Sequence, residues 1–226
     1  MKDTLISFCS NLLAVILGIV ITFAIQGKID RTADRKDVRA ALELVRSELT
    51  TNLEDIGIMQ DYLRQERKSA EYFLEHRSAL DRCPEDSVIF HGSMIFADAS
   101  ITLSHDALEL LKNSSIFQKV GDSGLSMKII RAYDTCESAV TNLNRHVSTR
   151  NAQFDASVTD KTASQFASNG SIDMRKYIKT PYGLYTIRWI TAQPDPEELV
   201  DEEDILAAVE AIDAYGSHGL RGRKKR

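Results

Sequence analysis

Among side chains that could do chemistry, the best constellation is Cys83, His91, Asp98, His105 and Asp106. A cysteine beside a histidine can form a thiolate nucleophile, and histidines with carboxylates can ligate a metal or move a proton. Either use requires the fold to bring the groups together. The spacing itself matches no familiar ligand set. There is no His-Glu-x-x-His, the cysteines at 9, 83 and 136 form no Cys-x-x-Cys, and the histidines at 76, 91, 105, 146 and 218 have no zinc-site spacing. A Gly-rich phosphate loop and a Gly-x-Ser-x-Gly elbow are also lacking. The five residues therefore read as loop and capping residues, and an enzyme with a site between 83 and 106 is the least favoured function. No catalytic residue, cofactor or metal is assigned.

The element that must position everything else is the uncharged run Leu5 to Ile25, LISFCSNLLAVILGIVITFAI. As a helix it spans roughly 31 Å, close to the ~30 Å hydrocarbon core of a bilayer. The run is too long for a signal-peptide core, and Phe23-Ala24-Ile25-Gln26-Gly27 lacks a small-x-small cleavage pair. It is read as an uncleaved single-pass anchor. Lys28, Arg31, Arg35, Lys36 and Arg39 follow it, against Lys2 alone before it, which places the C-terminal module in the cytoplasm. Ser10, Ala14, Gly18 and Thr22 recur every fourth residue, a face on which two membrane helices can approach closely.

Beyond the anchor, two seams alternate in steps of four and three. The first is Val38, Leu42, Val45, Leu49, Asn52, Ile56, Met59 and Leu63; the second is Ile129, Tyr133, Cys136, Val140, Leu143, Val147, Arg150 and Phe154, broken at Arg150. This is the pattern of coiled-coil or bundle helices. Asn52 either fixes the register between two chains or hydrogen-bonds within a bundle. Gly57 is a candidate bend. Two long seams with shorter helices between them predict two antiparallel long helices.

Between the seams, Asp81 to Asp86 reads as a turn, and Val88 to Phe96 as a short hairpin or two helical turns. Ser104 is a helix cap, with Asp106 in the first turn and Leu103 stapled to Leu108; a further start lies at Asp122 or Ser123. The anchor, the segment SELTTNLEDI and the segment ALELLKNSSIFQKVGDSGLSMKIIRAYD together resemble a large uncharacterised family of bacterial single-pass membrane proteins with a short N-terminal anchor and a helical module. The resemblance covers about residues 1–150, is carried by helical packing patterns, and implies no activity and no catalytic residue. The short N-terminal tail and longer C-terminal part depart from that family's pattern.

After Val158 the chain turns polar, with a turn at Ser168-Asn169-Gly170-Ser171 and a short helix from Ile172 to Lys179. Leu184 to Thr191 fits a strand or an aromatic-rich helix equally. A final helix over 196–215 is predicted, capped by Asp195 with Pro196 and Glu198, apolar at Leu199, Leu206, Val209 and Ile212, and ended by Gly216.

The fold class is thus all-α: a transmembrane helix continuing into an elongated antiparallel helical bundle with long heptad-patterned helices. Its divisions are an anchor at 1–27, a bundle at 28–160, an extension at 161–216 and a basic tail at 217–226. The net charge of −5 hides a tail of Arg221, Arg223, Lys224, Lys225 and Arg226 and a body, residues 28–216, at −10. An acidic body is a poor nucleic-acid binder, and none is expected. The tail is a candidate for anionic lipid. The leading function is a membrane-anchored interaction or scaffold protein that self-associates and holds an unidentified protein partner at the bilayer. The alternative is a single-pass sensor or ligand-binding module acting through a separate transducer.

Overall fold

The computed structural model describes the backbone of residues 2–157, 167–168 and 171–221, and the side chains of residues 32–156 and 172–217. The first helix, α1 (Lys2–Glu75), is one unbroken run of 74 residues. Its apolar stretch at 5–25, including the face of Ser10, Ala14, Gly18 and Thr22, has side chains outside the described residues. So do Arg221, Arg223, Lys224, Lys225 and Arg226. Among the described residues no helix is long and apolar enough to cross a membrane.

Four legs make the bundle, and α1 is the first. At its far end the chain turns through a 3-10 turn (Leu80–Arg82) and comes back as α2 (Glu85–Phe96), α3 (Asp106–Asn113) and α4 (Ile116–Lys119). The hydrogen bonds track the descent: Ser69 meets His91, Tyr62 meets Ala97, Asn52 meets Ser104, and Asp34 meets Lys119. Between Ser69 and Asp34 α1 rises about 52 Å, whereas the 28 steps from His91 to Lys119 would cover only about 42 Å as continuous helix. The non-helical stretch 97–105 supplies the missing reach.

Gly121, at φ +68°, makes the lower turn. A side chain there would be strained. The third leg, α5 (Ser123–Ser157), starts where the Asp122 carboxylate accepts from the Leu125 backbone NH at 3.0 Å. It pairs with α1 at Glu48–Tyr133, Asn52–Cys136 and Glu66–Arg150. Both partners rise together in number, so the two long helices are parallel. The expected antiparallel pairing of the long helices is therefore corrected: the three short helices between them occupy a whole return leg. Heptad spacing carries no direction, and only the length of that return sets it.

The upper end is closed by α6 (Met174–Lys179), capped by Asp173, and α7 (Pro181–Thr191), capped by Thr180, whose hydroxyl oxygen accepts from Gly183 NH. Segment 184–191 is thus helix, and 88–96 is the body of one continuous helix burying Val88, Gly92 and Ile95. A two-residue antiparallel pair, Ala167↔Ile172 and Ser168↔Ser171, precedes α6.

The fourth leg corrects the predicted helix at 196–215. Pro196–Leu199 is a 3-10 turn, Val200 is extended, and α8 runs Glu203–Arg221. Asp195 makes no side-chain cap; its carboxylate is held by Arg67, which also donates to the carbonyls of Gln193 and Pro194. The buried face is Val200, Ile205, Ala208 and Ile212, while Leu206 is 49% exposed. Gly216 does not end α8, since nothing requires its conformational freedom there.

All eight residues of the first seam are at most 5% exposed. They share one core with Leu111, Ile129, Leu143, Ile205 and Ile212. The seam is satisfied inside one chain, by the other three legs. Of the second seam Val140 is only partly buried and Ala139 lies inside instead. A second core at the upper end gathers Phe73, Leu80, Ile95, Tyr177 and Ile187.

Candidate functional site

Three polar rungs cross between α1 and α5, spaced along the seam. In the lowest, Glu48 accepts from the Tyr133 hydroxyl at 2.5 Å, the Ser104 hydroxyl at 2.6 Å and the Ala107 backbone NH at 3.0 Å. The first turn of α3 has free NH groups and a positive dipole end, and a carboxylate satisfies both. Glu48 thus caps α3 from another helix. Ser104, expected to be the cap, accepts from the Asp106 NH at 3.4 Å while donating its own hydroxyl proton to Glu48, and α3 starts after His105. Burial opposes charge on Glu48, but the bonds from Ser104, Tyr133 and Ala107 outweigh it and hold its pKa below the usual carboxylate range. Burial, then the Glu48 carboxylate, push the Tyr133 phenol well above its ordinary value.

In the middle rung the Asn52 amide donates to the Ser104 carbonyl at 2.9 Å and to Cys136 Sγ at 3.8 Å, and accepts from Ser104 NH at 3.1 Å. Asn52 is therefore an intrachain bundle residue, one of the two roles its seam position allowed. Burial raises the Cys136 thiol to about 11. It is a protonated core thiol, not a nucleophile.

The upper rung is the most polar. Glu66 and Arg150 are both fully buried, 2.5 Å apart. Arg150 also donates to the Tyr62 hydroxyl at 3.0 Å, the Ala97 carbonyl at 2.8 Å and Asn151 at 2.9 Å, so its fork is filled. His146 Nε2 lies 2.7 Å from the other Glu66 oxygen and must carry the proton there. Desolvation opposes charge on Arg150, yet the Glu66 carboxylate and Tyr62 keep its pKa above the ordinary value. Tyr62 donates to the Ala97 carbonyl at 2.7 Å, so this rung also finishes the C-terminal end of α2. It separates the two apolar cores.

Glu66 went unnoticed in the sequence, yet it continues the seam: Leu63, Glu66, Ala70 and Phe73 keep the steps of three and four. An acid in that register with Arg150 in the other was the available signal. Glu48 sits beside the seam and gave none.

Cys83, His91, Asp98, His105 and Asp106 do not meet as one cluster: Cys83 and His91 share Tyr72 as a neighbour, while His105 lies elsewhere. His91 stacks on Tyr72 at 4.0 Å, the opposite partner being His76 at 4.4 Å, and Ser69 holds its Nδ1 at 3.0 Å. Burial, then His76, lower the His91 pKa. His105 is instead near Tyr133 in the lower core, with ring centroids 5.7 Å apart. Among the described residues no three His, Cys, Asp or Glu side chains are placed to hold a metal. Beside His146 a cavity of about 10 Å³ is lined by Leu63, Arg67, Ile190 and Pro194, room for one water. An open groove of about 430 Å³ runs past Gln60, Glu197, Glu198, Asp201 and Glu202. The three rungs do positional work: a slip of one heptad would strand Glu66 and Arg150 opposite apolar residues, at a cost of several kcal/mol per ion.

These features define a class, an all-helical up-down-up-down bundle whose register is set by buried polar rungs. No protein-family model, curated protein or solved structure matches the chain.

Proposed function

We propose that this chain is a membrane-anchored interaction protein. Residues 5–25 span a bacterial inner membrane, the bundle stands at the cytoplasmic face, and it serves there as a scaffold for a protein partner. The observation that carries this reading is the continuity of α1 from Lys2 to Glu75. The uncharged stretch and the seam belong to one helix, so the bundle's orientation follows that of the anchor. The resemblance of residues 1–150 to single-pass bacterial proteins points the same way. With the seam occupied inside the chain, self-association falls to the face of Ser10, Ala14, Gly18 and Thr22.

The test is extraction of the full-length chain. Wild type should stay with membranes in alkaline carbonate, and a Leu13→Arg/Leu17→Arg variant should be released. Release of wild type removes the anchor from the reading. Labelling of Cys83 by an impermeant maleimide, expected only after the cells are opened, fixes the side. Monomeric behaviour in mild detergent across a wide concentration range would end the self-association part.

A further inference from the structure

The return leg holds a stretch of strand that belongs to no sheet. Residues 97–105 pass from α2 to α3 without a turn, and burial alternates along them: Ile101 and Leu103 are buried, whereas Asp98, Ser100, Thr102 and Ser104 are exposed. A period of two is that of extended chain, whose side chains take opposite faces in turn. Two asparagines stand where neighbouring strands would. Asn144 of α5 accepts from the Ile101 NH at 2.9 Å and donates to the Ile101 carbonyl at 2.8 Å. Asn52 of α1 does the same for Ser104, at 3.1 Å and 2.9 Å. In extended chain the NH and carbonyl of one residue share an edge, and successive residues use opposite edges. Ile101 and Ser104, three apart, therefore turn opposite edges to the two long helices.

Each amide covers one ladder position and leaves the others open. Among the described residues the main-chain groups of Asp98, Ala99, Ser100, Thr102 and Leu103 make no hydrogen bond within the chain. Asp98, Ser100 and Thr102 share the edge of Ser104, which thus offers three successive unpaired positions. The main chain of α1 cannot fill them, being bonded within its own helix. Between Asn52 and Tyr62, the residue that bonds Ala97, α1 presents Asp55 and Ile58; Ile58 lies one turn before Tyr62 and is 67% exposed. The sequence on both sides of this edge is acidic. Residues 84–111 contain Glu85, Asp86, Asp98, Asp106 and Glu109, residues 47–63 contain Glu48, Glu54, Asp55 and Asp61, and neither stretch has a Lys or Arg.

We infer that the α1-side edge of residues 98–104 receives an extended, basic segment of a partner protein as an added strand. An unpaired edge is a template for another chain. Main-chain bonds at Ser100 and Thr102 hold the segment, Ile58 takes an apolar side chain, and the acidic flanks select lysine or arginine beside it. The inference rests on the scaffold reading and names where, and in what form, the partner is held. It makes no use of the anchor.

The experiment uses the full-length chain in nanodiscs of pure phosphatidylcholine, and the probe is a peptide of four Val-Lys repeats. The readout is amide hydrogen exchange at Ser100 and Thr102. Having no bond in the free chain, these amides should exchange fast there and slow about tenfold with the peptide bound. A peptide of four Val-Glu repeats, and the Val-Lys peptide methylated on every backbone nitrogen, should leave them unchanged. Ser100→Pro and Thr102→Pro each delete an NH that the fold does not use. Each should weaken peptide binding about tenfold, the effect of one lost hydrogen bond, while urea unfolding read at Trp189 stays as in wild type. Should the proline variants unfold, the methylated peptide decides alone, since it leaves the protein untouched. Equal binding of the methylated peptide, binding without protection at Ser100 and Thr102, or no binding of the Val-Lys peptide would each overturn the edge. Those results would leave the scaffold reading to another face, and carbonate extraction tests the anchor independently.

Discussion

Replacing Arg150 by Met should be among the most damaging single changes available to this chain. Arg150 and Glu66 are both 0% exposed, and the guanidinium fork is filled by Glu66, Tyr62, Ala97 and Asn151. Taking away the cation leaves a carboxylate in the interior with His146 as its remaining hydrogen-bond partner. Removing one partner of such a buried pair costs about 3–5 kcal/mol, whereas replacing both by apolar residues of similar volume is close to neutral. Glu66→Leu/Arg150→Met should therefore recover most of the loss, to within about 1–2 kcal/mol of wild type, although Tyr62 and Asn151 lose a partner. Urea unfolding of the full chain in mild detergent reads this directly. The one tryptophan, Trp189, lies against His146 with ring centroids 5.0 Å apart and reports from beside the network. An Arg150→Met loss below about 1 kcal/mol, or a double variant worse than either single one, would refute the assignment of the pair as the register-setting rung.

Other expectations follow from the same contacts. Glu48 has a depressed folded pKa, so its contribution is present above the unfolded value of about 4.3 and is lost as pH falls through the folded value. Glu48→Gln should flatten the acid side of the stability profile in a urea titration. Gly183→Ala should destabilise by more than about 2 kcal/mol, because a Cβ would stand 2.1 Å from the Tyr177 carbonyl oxygen. Gly57→Ala, with nothing within 4 Å of its Cβ, should stabilise by about 1 kcal/mol. Thermal melts of the two variants should move in opposite directions. In Ellman's titration of the native chain, Cys83 should react while Cys136, buried with its thiol raised to about 11, waits for unfolding.

The local alphabet was legible where side-chain periodicity and capping chemistry act within a few residues. The first seam, from Val38 to Leu63, is visible as steps of four and three, and every member is buried. The start of α5 after Asp122 and the end of α3 at Asn113 follow from capping and turn residues. Where competing partners lie far off in the chain, the reading failed. Asp195, Pro196 and Glu198 look like a helix start, but Arg67, more than a hundred residues earlier, takes the Asp195 carboxylate and the carbonyls before it. Ser104 reads as a cap and does accept the Asp106 NH, but the shorter bond in the first turn of α3 goes to Glu48, which reaches it from another helix. The chemistry suggested by Cys83, His91 and His105 dissolved because 97–105 is the stretch that gives the return leg its length, setting His91 and His105 in different cores.

By itself, then, the sequence determined that the chain is helical, which faces of its two long helices are apolar, and where an uncharged stretch long enough for a bilayer lies. Periodicity and charge are local properties, and a helix expresses them wherever it packs. Tertiary structure alone decided that the long helices are parallel, that the seam closes on its own chain, and that Glu66 meets Arg150. It also decided that α8 returns to the end from which α1 enters the bundle. Direction and pairing depend on how much length each connection consumes, a sum over the whole chain that no window of residues contains.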